Sequence, residues 1–152
     1  MGPYLMTELT RRRLHKRFES WGIFYGDVQV GHISKMIGLG SSVIWQWSCG
    51  FYGCETHQQS SGNQDSFDEA KAAFAGAWNL LQPQITEAML DEWRKHQAWT
   101  AWKYAMIDAG CRLPTQSTTG RARCFCGAEI TIAGFTDHVY AEHMGAKQTT
   151  TA

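Results

Sequence analysis

The sequence predicts an α+β protein. A small antiparallel sheet of three to four strands is covered by an amphipathic helix, and a second long helix and a short C-terminal ββα module follow. Three observations predict this. Short apolar runs separated by turn residues occupy 21–60, apolar residues at spacings of three and four recur over 66–81 and 86–109, and two cysteines and two histidines gather within 124–143. Alternation with period two marks strands and recurrence near 3.6 marks helices. The expected organisation is a basic arm over 1–20, the α+β module over 21–113, a linker over 114–123, the Cys/His module over 124–145 and a disordered tail over 146–152.

Composition bounds the function classes. At 152 residues with 43% apolar and 18% charged side chains, the chain can bury a core, and its length suits one domain plus a module too small to fold unaided. Net charge is zero, which excludes a protein that binds polyanions with its whole surface. The charge is nevertheless uneven: residues 1–20 carry five Arg or Lys against two Glu, and 21–110 carry five against nine acidic groups. Five cysteines with no apolar leader in Met1–Thr10 point to a reducing compartment, and the expected location is cytoplasmic. No run approaches the length of a membrane span, so no membrane partner is expected.

The elements follow in order. Arg11, Arg12, Arg13, Lys16 and Arg17 form a like-charge block, which reads as a solvated arm or as phosphate-contacting residues. Trp21–Tyr25 and Val28–Ile33 flank Gly26-Asp27, a pair suited to a hairpin turn. In the next run Val43, Trp45, Trp47 and Cys49 alternate with Ile44, Gln46 and Ser48, as a half-buried strand requires. A weaker fourth strand is expected over Glu55–Ser60, before a loop Ser61-Gly62-Asn63-Gln64. Ser66 and Glu69 form a capping box ahead of Phe67, Ala70, Phe74, Ala77, Trp78 and Leu81, one apolar stripe of a helix that Pro83 ends. The second helix spans about Thr86–Ala109 and stops at Gly110. Its wide stripe leaves Trp99 and Trp102 as a candidate partner surface.

The C-terminal segment carries the chemistry. Cys124 and Cys126 are separated by Phe125; eleven residues separate Cys126 from His138, and four more separate His138 from His143. Two thiolates on a hairpin and two imidazoles on a helix are the donor set of a tetrahedral zinc site, so the expected metal ligands are Cys124, Cys126, His138 and His143. This pattern resembles the C2H2 zinc-finger family over about twenty residues. The resemblance extends to Ile130 and Phe135, which stand where that family places the apolar residues of its miniature core. It implies a hairpin strand at Ile130-Thr131-Ile132, a turn at Gly134, a helix capped by Thr136, and one structural zinc ion. The chain departs from the family in the single residue between its cysteines and in an interval to His138 one residue short. With no Arg or Lys between Arg123 and Lys147, the helix positions around Asp137, Val139 and Tyr140 match major-groove reading poorly.

Other constellations are weaker. Cys49, Cys54 and His57, with His32 as a distant fourth donor, form a second cluster in sequence, although the alternation that buries Trp45 and Trp47 also buries Cys49. Asp137-His138-Val139 is similar to the start of the HNH nuclease motif, but the downstream Asn and His of that motif are missing. No catalytic residue, cofactor-binding loop or small-molecule substrate is indicated. Residues 21–113 resemble small uncharacterised proteins of soil α-proteobacteria through Val30, Gly31, Ile33, Trp45 and Trp47, a resemblance that implies a bacterial origin and no activity. The expected function is therefore that of a non-enzymatic binding protein with a structural zinc finger. Its partner is nucleic acid, met by Arg11–Arg17 with Arg121 and Arg123, or alternatively a protein, met by Trp99 and Trp102; a metal-dependent enzyme such as a nuclease is the third reading.

Overall fold

The computed structural model describes residues 9–144. The expected tail over 146–152 and the first eight residues of the expected arm lie outside them. The chain is α+β, and it divides into two compact units at Trp93/Arg94.

The first unit holds a five-stranded antiparallel sheet in the order β1 (Leu9–Arg13), β2 (Ser20–Tyr25), β3 (Val28–Ile37), β4 (Val43–Cys49), β5 (Ser60–Gln64). The sheet is one strand larger than the sequence predicts, because part of the basic run forms a strand where an arm was expected. Leu9–Arg13 pairs along β2 from Leu9↔Tyr25 to Arg13↔Trp21. Sequence patterning missed this strand because a row of arginines has no apolar alternation. The same charges suit a sheet edge, where they discourage pairing with another chain.

The hairpin at Gly26-Asp27 forms as expected, with Gly26 in the left-handed region at φ 63°. On β4, Trp45, Trp47 and Cys49 are buried, whereas Val43 lies exposed at the open end of the strand. Gly31 pairs with Cys49 and Ile33 with Trp47 on that same face. A Cβ at Gly31 would collide with the Ser48 carbonyl oxygen and the Phe74 ring, so glycine there lets the covering helix approach the sheet.

The last strand is displaced from its expected position. Thr56–Gln58 forms a 3-10 turn, and β5 occupies Ser60–Gln64, largely the segment expected as a loop. Its polar sequence reads as loop, but Gly62 leaves room for the Trp47 indole and Gln64 Oε1 accepts from Trp47 Nε1 at 3.3 Å.

Helix α1 (Phe67–Leu81) starts where the capping box places it: the Glu69 backbone N–H donates to Ser66 Oγ at 3.1 Å. Its buried residues Ala70, Phe74, Trp78 and Leu81 enter the same core as Ile23, Val30, Ile33, Trp45 and Trp47. A 3-10 turn at Gln82–Gln84, containing Pro83, closes it. Helix α2 (Glu87–Asp108) begins after Thr86, whose Oγ1 accepts from the Met89 N–H. It ends on Gly110 at φ 71°, with Cys111 N–H donating to the Met106 carbonyl and Gly110 N–H to that of Ile107. This paired closure is the Schellman motif.

The second unit takes the remainder of α2, a 3-10 turn at Pro114–Gln116, the two-stranded sheet β6 (Arg121–Arg123) and β7 (Glu129–Thr131), and helix α3 (Phe135–Glu142). Residues expected as linker thus supply β6, the hairpin strand that leads into Cys124. The expected linker also holds the 3-10 turn, whose Pro114 is buried.

Candidate metal centre

The β6–β7 hairpin brings the two cysteines to one end. After β6 the chain folds back through a knuckle in which Gly127 N–H donates to the Cys124 carbonyl at 2.9 Å, and Cys124 N–H to the Ala128 carbonyl at 2.9 Å. Gly127 adopts φ 99°, a left-handed conformation that side chains resist. Arg123 Nη1 ties the turn by donating to the Gly127 carbonyl at 2.8 Å.

Helix α3 supplies the imidazoles. Its N-cap is Gly134, two residues before the Thr136 that the sequence predicts, and no side chain caps it. His138 lies within the helix, and His143 is its C-cap, bonded through its N–H to the Val139 carbonyl. With Val139 fully buried beside Ile130, the helix is fixed with both rings facing the knuckle.

Four donor atoms then converge. Cys124 Sγ lies 3.4 Å from His143 Nε2, Cys126 Sγ 3.5 Å from His138 Nε2, and the two Nε2 atoms 3.2 Å apart. All four lie within 4.8 Å of one another, close enough to hold a metal ion. The rings of His138 and His143 meet edge-on with an interplanar angle of 68°, so the two Nε2 atoms approach without the rings stacking.

Burial shifts two of the four donors, keeping the Cys124 thiol protonated and the His143 imidazole neutral. Burial, foremost, raises the pKa of the Cys124 thiol; the Cys126 backbone N–H and the Trp102 indole oppose this as donors to its sulfur, and the neighbouring Cys126 thiol adds to the rise. His143 is held below the ordinary imidazole value by burial first and by nearby His138 second, against a smaller opposing pull from Glu142. Its ring is therefore neutral at pH 7 and available as a ligand.

Sequence reasoning missed the support beneath this site. Trp102 was expected on a partner surface; instead it is 2% exposed, and its Nε1 donates to Cys124 Sγ at 3.3 Å. Trp99 is half-buried, its ring 6.3 Å from those of Trp102 and Phe135. Together with Met106, these indoles complete the core of the second unit around Cys124, Ile130 and Val139. The available signal was the spacing Trp99, Trp102, Met106, a helical stripe that wanted a lid; nothing in the sequence named the finger as that lid.

The other candidates do not assemble. Cys49 pairs with Gly31 on the buried sheet face, and the alternation of the strand puts His32 on the opposite face. Burial first, then the neighbouring Cys54, pushes the Cys49 thiol up to about 12, while exposed His57 lies 3.7 Å from Glu55. A cavity of about 360 Å³ opens between the sheet and α1, lined by Leu9, Thr10, Arg11, Ile23, Ile33, Phe67, Lys71, Phe74 and Ala75. None of these carries a carboxylate, thiol or imidazole.

The basic residues fall in two places. Along β1 the Arg11 guanidinium lies 4.4 Å from the Trp21 ring centroid and 5.1 Å from that of Phe67, and the Arg12 guanidinium 4.3 Å from that of Phe24. Arg13, Lys16 and Arg17 are exposed beyond them. In the second unit Arg121 pairs with Glu129 at 3.3 Å, and Arg123 is engaged with the knuckle, so both serve the hairpin. Comparison with protein-family models, with curated proteins and with solved structures finds no match.

Proposed function

We propose that this chain is a non-enzymatic binding protein whose second unit is held together by one structural zinc ion, in the manner of a C2H2 finger. The observation that carries the reading is the spacing of the four donors. A tetrahedral zinc with bonds of about 2.0–2.1 Å to nitrogen and about 2.3 Å to sulfur asks for N···N edges of about 3.3 Å and N···S edges of about 3.5 Å. The separations of 3.2, 3.4 and 3.5 Å match that demand.

Cys124, Cys126, His138 and His143 would hold the ion and fill its coordination shell. A closed shell leaves no position for substrate, so the chemistry supplied is cross-linking of hairpin to helix and not Lewis-acid catalysis. Trp102 supports this role by donating to the sulfur of Cys124, as groups outside the ligand set do in tuning a metal site.

For the partner, the basic edge favours a phosphate-bearing surface, the chemistry first expected as nucleic acid. A flat guanidinium resting on an aromatic ring keeps its N–H edges free to meet phosphate oxygens. A protein partner on Trp99 and Trp102 is the weaker reading, because Trp102 is already sealed inside the second unit.

The test is metal analysis of protein purified without added zinc, beside a Cys126→Ser variant. Cys126 is exposed whereas Cys124 is buried, so this substitution removes a ligand without opening the core. One equivalent of zinc in the wild type and none in the variant is the expected result; a metal-free wild type overturns the reading.

A further inference from the structure

We propose that the end of the sheet formed by the β1–β2 and β3–β4 loops docks this protein onto an anionic membrane surface. The inference rests on the reading above that the basic run meets phosphates, and it names the surface that bears them.

Strand order brings the two loops together. In an antiparallel sheet ordered β1-β2-β3-β4, the β1–β2 and β3–β4 connections emerge at the same end, and here they are tied by Lys35 N–H donating to the Glu19 carbonyl at 2.8 Å. That end presents apolar side chains to solvent: Leu39 is 99% exposed, Ile37 74%, Phe18 62% and Met36 49%. Several large apolar groups exposed at one end of a sheet mark a candidate interaction site.

The β3–β4 tip is a built turn. Gly38 N–H donates to the Ser42 carbonyl at 2.7 Å, Ser42 Oγ donates to the Leu39 carbonyl at 3.2 Å, and Gly40 and Ser41 both take left-handed φ angles of 71° and 63°. A non-glycine residue in that region is uncommon, and the turn it belongs to carries Leu39 exposed at the tip. The β1–β2 loop is ordered likewise, by Leu14 N–H to the Ser20 carbonyl at 2.8 Å and Arg13 Nε to the His15 carbonyl at 3.0 Å.

Charge complementarity selects the occupant. Arg13, Lys16, Arg17 and Lys35 lie exposed on these loops and the adjoining strand ends, with Glu19 the acidic residue among them. Exposed apolar tips beside exposed cations match a bilayer interface, where apolar groups enter the headgroup boundary and cations meet anionic lipid phosphates. Single-stranded nucleic acid asks instead for a series of aromatic platforms that stack successive bases, whereas of these four exposed side chains Phe18 alone is aromatic and Met36, Ile37 and Leu39 are not. Among the described residues no helix is long and apolar enough to cross a membrane, so attachment is peripheral.

The experiment is co-sedimentation of the full chain with phosphatidylcholine vesicles, with and without phosphatidylserine, beside binding to a nucleic-acid fragment at the same salt. Wild type is expected to sediment with the phosphatidylserine vesicles and not with phosphatidylcholine alone. The Ile37→Ser/Leu39→Ser double variant, changed only at solvent-facing positions, should keep its melting temperature and lose about tenfold or more in vesicle affinity. Lys16→Gln/Arg17→Gln should lose about thirtyfold, at about 1 kcal/mol per cation. Unchanged vesicle binding by the Ile37/Leu39 variant overturns the proposal while leaving the phosphate reading intact. Binding to nucleic acid but not to vesicles does the same and assigns the basic edge to that partner. Binding to neither ends both readings, and a wild-type dimer that the Ile37/Leu39 variant abolishes would assign the tips to a second copy.

Discussion

His32 lies half-buried in the middle of β3, and burial holds its imidazole below the ordinary value of 6.5. The unfolded chain therefore takes up a proton at a higher pH than the folded one. Stability that is fully present above pH 6.5 is lost as pH falls through the folded value. His32→Gln, which cannot titrate, should flatten the fall in melting temperature between pH 7 and about pH 5; an unaltered slope in the variant would place the acid sensitivity elsewhere. Single residues also show where local reading succeeded. The grouping of Cys124, Cys126, His138 and His143 was legible because the donor set of a metal site is a matter of residue type and spacing. Trp102 was not, since a tryptophan on a helical stripe looks the same whether it faces solvent, a partner or a buried cysteine sulfur.

At the scale of elements, α1 is the case where sequence and structure agree most closely, and its start rests on one side chain. Ser66 Oγ accepts from the Glu69 N–H at 3.1 Å and donates to the Glu69 carboxylate at 3.1 Å. Ser66→Ala should cost about 1 kcal/mol, the usual value of a lost N-cap, measured as a shift of the denaturant midpoint at unchanged slope; an effect near zero would mean that core burial alone holds the first turn. The helix was legible because cap, stripe and stop all lie within one short window. Strands β1 and β5 were not. Leu9–Arg13 and Ser60–Gln64 have polar sequences, and as the two edges of the sheet they are extended because β2 and β4 offer backbone partners. Edge pairing of that kind is invisible to any reading of side-chain periodicity.

For the whole molecule, the two units have cores of different kinds. The first buries Ile33, Trp45, Trp47, Phe74, Trp78 and their neighbours, whereas the second closes around Trp102, Met106, Cys124, Ile130 and Val139, too small a cluster to stand without a cross-link. Stripping metal with a strong chelator should therefore unfold the second unit and spare the first. The seven tryptophans report this separately by NMR: the indole signals of Trp99 and Trp102 should collapse towards random-coil positions while those of Trp45, Trp47 and Trp78 hold. Collapse of all of them would show that the units do not fold independently, and no change would remove the structural role of the metal. By itself the sequence determined the α+β class, the first helix with its cap, the tryptophan-bearing strand and the order of the four metal donors, because each is written in neighbouring residues. Only the tertiary structure decided that part of the basic run is a sheet edge, that α2 supplies the floor beneath the Cys/His cluster, and that two loops distant in sequence share one apolar, cationic end. Those outcomes depend on backbone pairing and packing between residues far apart in the chain, which no local pattern records.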